Sequence, residues 1–236
     1  MSRFNPYEEN GGSILAIAGQ DFSVIAGDTR QSLNYSIQTR YAQKVFPLTS
    51  SAVLAVNGFA ADGKNFVKRV KQRLERRMFP FYVYNILAGI EEDGTGAVYS
   101  FDPVGSYERE ACRGAGAAQS LLQPFLDNQI YFKNQTLAPG AEPFVPGRLP
   151  LSTVLSLVVD AFSSATERHI EVGDGLEMYV VMAPGRSADD LTAEEAQQAK
   201  EWPSELTVEE MESLGDEQEE GKAFRVFRLS RPLKRD

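Results

Sequence analysis

Cysteine, histidine and tryptophan are nearly missing, with one residue of each among 236. A lone thiol, Cys112, excludes an internal disulfide framework and suits a reducing compartment, where a buried free thiol is its expected state. One imidazole, His169, without a second cysteine cannot complete a metal site, so no metal is expected, and no nucleotide or organic cofactor is indicated either. No apolar run approaches the roughly 20 residues that span a bilayer. The opening MSRFNPYEEN has neither a signal-peptide core nor a transit pattern, so a soluble intracellular protein is expected. A basic excess is also lacking. Lys and Arg total 24 against 33 Asp and Glu, a net charge of −9, which argues against broad nucleic-acid binding through phosphate neutralisation.

What is present is apolar residue in short, patterned runs, 42% of the chain. That is enough for one sizeable core. The acidity is confined: residues 187–222 hold 13 acids and two lysines, Lys200 and Lys222, which leaves 20 acids against 22 bases in the rest. The body is nearly neutral and one segment, about 184–222, is acidic. Its charge density favours a solvated surface loop. TAEEAQQAKEW and TVEEMESLG each open on Thr with Glu close behind, so short capped helices are the competing reading.

Residues 10–30, NGGSILAIAGQDFSVIAGDTR, are two runs apolar on both faces around Gly19-Gln20-Asp21, as in a strand pair covered on both sides. KVFPL (44–48) and AVLAVN (52–57) continue as strands, so the first third predicts an antiparallel meander. In GFAADGKNFVKRVKQRLERR the period changes. Phe66, Val70 and Leu74 fall four apart beside Val67, an amphipathic helix. Strands return around Asp93-Gly94, two helices follow in AAQSLLQPFLDNQ and PLSTVLSLVVDAFSSATERH, and LEMYVVM with AFRVFRLS closes the chain as a strand pair. This grouping predicts an α+β fold of two stacked antiparallel sheets between helical layers. Other features have plain readings: His169 as a helix-end residue, Gly114-Ala115-Gly116 as a strand-to-helix turn, and the aromatic run FPFYVY (79–84) as a core or subunit-contact face.

NGGSILAIAG, GDTR, FPFYVYNILAGIEEDGTGAVYSFDPVGSYER, LLQPFLDNQ and ATERHIEVGDGLEMYVV resemble the proteasome β-subunit family over nearly the whole chain except the acidic segment, which reads as a fungal-type elaboration. Within the family the resemblance is to the branch at the sixth position of the eukaryotic β ring. It implies a four-layer αββα sandwich of the N-terminal-nucleophile hydrolase type. Residues 1–11 are then a propeptide-like segment, and 12–236 a single domain. It also implies assembly with other β subunits of the same and opposite ring, with α-ring subunits and with assembly chaperones, in cytoplasm and nucleus.

In active members a threonine freed at the N-terminus attacks with its hydroxyl and uses its own amine as base, beside a lysine, an aspartate and an oxyanion-binding glycine. The resemblance places Asp28, Lys44 and Gly58 on the last three. The nucleophile position falls on Gly12, which has no side chain, and three further family positions fall on Ala115, His169 and Val172. A non-catalytic subunit is therefore expected, with Asp28 and Lys44 kept as a structural ion pair. The competing enzyme would use Ser13 after cleavage at Gly12, but one residue along a strand turns the side chain to the opposite face. SFDPVGS matches a family segment near the neighbouring chymotrypsin-like site, so Asp102 is the candidate for lining that pocket. Between Leu74 and Phe79 only four residues stand where relatives have a loop and a second long helix, which predicts an exposed or repacked apolar stripe on the first helix.

Overall fold

The computed structural model describes residues 7–71, 81–136, 145–184, 206–211 and 224–235. The alternation inside the first strand sets the architecture. In β1 (Ser13–Ala18), Leu15 and Ile17 join one core while Ile14, Ala16 and Ala18 join another, and all are buried. A strand apolar on both faces is stable only as an inner layer. It pairs antiparallel with β2 (Phe22–Asp28), which alternates in the same way.

The remaining strands are β3 (Gln31–Leu33), β4 (Ser36–Thr39), β5 (Val45–Pro47), β6 (Ala52–Gly58), β7 (Val83–Ile90), β8 (Gly96–Phe101), β9 (Tyr107–Glu110), β10 (Cys112–Gly116), β11 (Gly175–Met182), β12 (Thr207–Met211) and β13 (Arg225–Pro232). Among the described residues they form a six-stranded sheet, β10-β1-β2-β11-β13-β12, a five-stranded sheet, β5-β6-β7-β8-β9, and the separate hairpin β3-β4. Ile14, Ala16, Ile25, Tyr179 and Val181 of the first sheet meet Val45, Ala55, Ile86, Ala88 and Val98 of the second, which makes the inter-sheet core. Helices α2 (Gln119–Gln129) and α3 (Leu151–Arg168) cover the outer face of the six-stranded sheet, with Leu122, Leu126, Leu155, Val158 and Phe162 packed on Leu15, Val24 and Met178. Helix α1 (Ala60–Lys71) lies on the other sheet. The order is helix, sheet, sheet, helix, the expected four layers.

Two expectations change. The first third is no single meander. Once β1 and β2 are buried on both faces, the chain has to cross by the β3–β4 hairpin and stack β5 and β6 over them. The second change concerns TVEEM, which is an edge strand, neither the solvated loop expected nor the competing capped helix: β12 pairs antiparallel with β13. Glu209 stands opposite Arg228 and accepts a 3.3 Å hydrogen bond from its guanidinium, a cross-strand charge pair that a helix would forfeit. The stripe of α1 is repacked, one of the two outcomes expected. Val67 is buried, Phe66 and Val70 are half-buried, and Phe66 sets its ring edge-on to Phe81 at 5.4 Å. Leu74, the short link to Phe79, TAEEAQQAKEW and most of the acidic segment lie outside the described residues.

The two helical layers therefore differ in depth. Phe162 is fully buried in a large cluster, whereas α1 rests on a small one built on Leu54, Val56 and Val67. Phe162→Ala should lower stability by about 3–5 kcal/mol. Phe66→Ala should cost less than half of that, and urea unfolding of the two variants measures the difference.

Candidate functional site

The C-terminal end of β2, the start of β5, the residues just before β1 and the turn between α3 and β11 meet at one point. There the Lys44 ammonium donates to Asp28 Oδ1 at 2.8 Å, to the Asp28 carbonyl at 2.9 Å and to the Arg30 carbonyl at 2.5 Å. These are all three donors that a lysine has. Burial pushes the Lys44 amine below its usual pKa, and the Asp28 charge and hydrogen bond work against that shift. Asp28, itself 1% exposed, also accepts from the Ser13 and Arg30 backbone N–H groups at 2.7 and 3.2 Å and from Gly173 N–H at 3.3 Å.

Gly12 lies against this pair. Its φ is +73°, and a Cβ there would collide with Lys44 Nζ and stand 2.8 Å from Asp28 Oδ1. The ammonium thus fills the space a side chain at position 12 would need. The Gly12 nitrogen is a peptide N–H donating to the Glu171 carbonyl at 3.0 Å, and its carbonyl accepts from Ala117 N–H and the Asn57 amide. Ser13 faces away from Lys44, on the side of Leu15 and Ile17, where its hydroxyl accepts from Ala118 N–H at 2.8 Å. Parity along β1 separates it from the lysine, as the strand argument requires.

The remaining residues singled out in the sequence are placed as follows. Gly58, at φ +111°, ends β6 beside the group, and a Cβ on it would sit 2.8 Å from the Tyr82 carbonyl. Ala115 pairs with Ile14 across β10 and brings only a methyl group. His169 caps the C-terminus of α3, and its Nδ1 accepts from Glu171 N–H at 3.3 Å. Val172 is fully buried in the helix-side core. Asp102 stands apart in the β8–β9 loop. Its Oδ1 accepts from Val104, Gly105 and Ser106 N–H at 3.0, 2.7 and 2.8 Å, so one carboxylate oxygen is spent on shaping its own loop.

Two features were not singled out in the sequence. Asn10 runs as a short extended segment across the mouth of the group. Its N–H donates to the Gly58 carbonyl at 3.2 Å, its carbonyl accepts from Ser32 N–H at 3.0 Å, and its side chain accepts from Ala60 N–H at 2.8 Å, at the start of α1. Beside it is a small cavity of about 30 Å3, also lined by Gly11, Lys44, Asn57 and Gly58. The second feature is Arg30, 1% exposed. It donates Nε to Asp174 at 2.8 Å and Nη1 to the Ile170 carbonyl at 2.7 Å, while Arg40 also bonds Asp174. The signal was there in GDTR: an arginine two residues from a buried strand aspartate needs a buried acid of its own.

The profile of a family described as "Proteasome subunit" matches residues 8–79 and 72–142, more than half of the chain. The chain belongs to the proteasome β-subunit family. It is 50% identical over 212 residues to "Proteasome subunit beta type-6" of Saccharomyces cerevisiae, covering 78% of this chain and 88% of that one. It is 41% identical over 208 residues to "Proteasome subunit beta type-1" of Danio rerio, covering 78% and 85%. It is 41% identical over 215 residues to "Proteasome subunit beta inpE" of Emericella nidulans, covering 79% and 94%. Seventy-eight per cent of 236 residues is about 184, some 28 short of the 212 aligned positions of the yeast relative, so that relative carries residues with no counterpart here. The two stretches matched by the family profile overlap at 72–79, where only four residues separate Leu74 from Phe79.

The charge network yields a prediction of its own. Burial pushes the Asp174 carboxyl up, but hydrogen bonds and charges from Arg30 and Arg40 outweigh it and hold the group below 3.8. A depressed carboxyl contributes stability that is fully present above its unfolded pKa and is lost as pH falls through the folded value, so this contribution fades below about pH 3.8. Asp174→Asn leaves Arg30 buried without its counter-charge and should cost about 3–5 kcal/mol at neutral pH. Urea titrations from pH 7 to 3 should show the variant's deficit shrinking on the acid side.

Proposed function

We propose that this proteasome β subunit is non-catalytic. On this reading it serves the 20S core particle by closing the β ring and by shaping a neighbouring proteolytic site in ubiquitin-dependent protein degradation. The observation that carries the proposal is the saturated Lys44 ammonium in the space where a side chain at position 12 would stand. Acyl transfer by an N-terminal nucleophile needs a hydroxyl at that place and a freed amine beside it. Gly12 supplies no hydroxyl. Asp28 and Lys44 then persist because a buried lysine without its carboxylate is costly. The partners of this reading are β subunits of the same and the opposite ring, α-ring subunits and assembly chaperones, and its setting is cytoplasm and nucleus.

The test is the intact mass and N-terminal sequence of the chain taken from assembled particles treated with a hydroxyl-directed covalent protease inhibitor. The expected result is a chain without an adduct that does not begin at Ser13. A chain beginning at Ser13 and carrying the inhibitor would overturn the proposal. Gly12→Thr should also stay unlabelled, because the new side chain meets Lys44 and a left-handed backbone.

Asp102 gives the reading its second element. With Oδ1 holding three backbone N–H groups, Oδ2 remains to present negative charge at an exposed loop. Asp102→Asn keeps the acceptor that shapes the loop and removes only the charge. In assembled particles it should lower the neighbouring site's preference for basic peptides by about 1.5- to 5-fold, the range for an exposed charge pair. An unchanged cleavage profile would remove Asp102 from that role.

A further inference from the structure

Beside the Asp102 loop, on the far side of Gly58 from Lys44, is a cleft of about 200 Å3 walled by Tyr7, Phe59, Tyr82, Tyr84 and Pro103. Tyr7 and Tyr82 stand with ring centroids 4.3 Å apart at 46°, and Tyr7 meets Phe59 edge-on at 5.8 Å. Tyr82 is fixed through its backbone, donating N–H to Asp62 Oδ2 at 3.1 Å and accepting from Phe59 N–H at 3.1 Å, so this wall is pre-organised. Yet Tyr7, Tyr82 and Tyr84 remain 39%, 51% and 45% exposed. Glu8 and Glu9, both exposed, complete the lining, and among the described residues no lysine, arginine or histidine contributes to it.

Half-exposed aromatic rings around a recess are the composition of an interface centre. The cleft is smaller than the roughly 300–1,000 Å3 of pockets for cofactors or drug-sized ligands, but it is large enough for one long side chain. Ring faces carry negative quadrupole charge, and two carboxylates add to it, so the recess repels anions and attracts a cation. Arginine suits it better than lysine, because a planar guanidinium stacks on a ring while its edge reaches a carboxylate in bidentate fashion.

We propose that this cleft is a docking site for a cationic side chain, arginine foremost, on a basic segment of an adjoining chain of the particle. The proposal rests on the chain's place in the particle, with residues 7–9 of the propeptide-like segment retained there, and goes beyond the proposed catalytic silence.

The experiment installs a photo-crosslinking residue at Tyr84 and maps the product in assembled particles by mass spectrometry. The expected result is a crosslink to an adjoining chain within a few residues of an arginine or lysine. No crosslink, a crosslink to a segment without a cation, or one to this chain's own acidic residues would overturn the proposal. A chain that never enters particles would defeat the subunit reading instead, and co-purification detects that first. A second measurement follows salt-induced release of the chain. Tyr82→Ala should speed release about 2- to 30-fold, the span of one cation–π contact, while Tyr82→Phe, which keeps the ring face, should behave as the parent. Glu8→Gln with Glu9→Gln should flatten the salt dependence. Equal release from Tyr82→Ala and Tyr82→Phe would also sink the proposal.

Discussion

The buried pairing of Lys44 with Asp28 is the constraint around which the rest is arranged. An ammonium taken out of water is costly unless it is matched by charge and by acceptors for all its hydrogens. Asp28 supplies the charge, and the Asp28 and Arg30 carbonyls complete the set. Meeting that need fixes the end of β2 against the start of β5, and so holds the two sheets together at this end. Gly12 follows from it as well, since only a residue without a side chain passes this close to the ammonium at a positive φ.

A second buried pair extends the arrangement outward. Arg30 turns its carbonyl to Lys44 and its guanidinium to Asp174, so one residue belongs to both groups. Asp174 immediately precedes β11, and Gly173 donates to Asp28, so the α3–β11 turn is tied to the same point from the other side. Asn10 closes the front by bonding β3, β6 and the start of α1 at once. What resembles reactive machinery in residue type is, in geometry, a set of mutually saturated groups. Asp102 and the tyrosine cleft lie outside this group, exposed at the surface.

Much of this was legible in the residues. Strands apolar on both faces, such as Ser13–Ala18, demanded cover on both sides and thereby announced stacked sheets between helices. The absence of a side chain at Gly12 needed no coordinates. The strand at Thr207–Met211 was not legible, because a Thr followed by two glutamates caps a helix as well as it lines an edge, and the choice fell to the open flank of β13 with Arg228 opposite Glu209. Asn10 was equally silent, since an asparagine before two glycines carries no sign that its side chain will meet Ala60 fifty residues away.

The sequence by itself determined the layer order and the absence of a hydroxyl at position 12, because these depend on periodicity and residue type, which are local, and its motifs carried the resemblance to the family. Only the tertiary structure decided that the Lys44 ammonium stands where a Cβ on Gly12 would be, that Arg30 joins two buried charge pairs and that three tyrosines frame one acidic recess. Those are relations between segments distant along the chain. Their reason is the cost of leaving a buried charge unmatched, which packing settles and periodicity does not record.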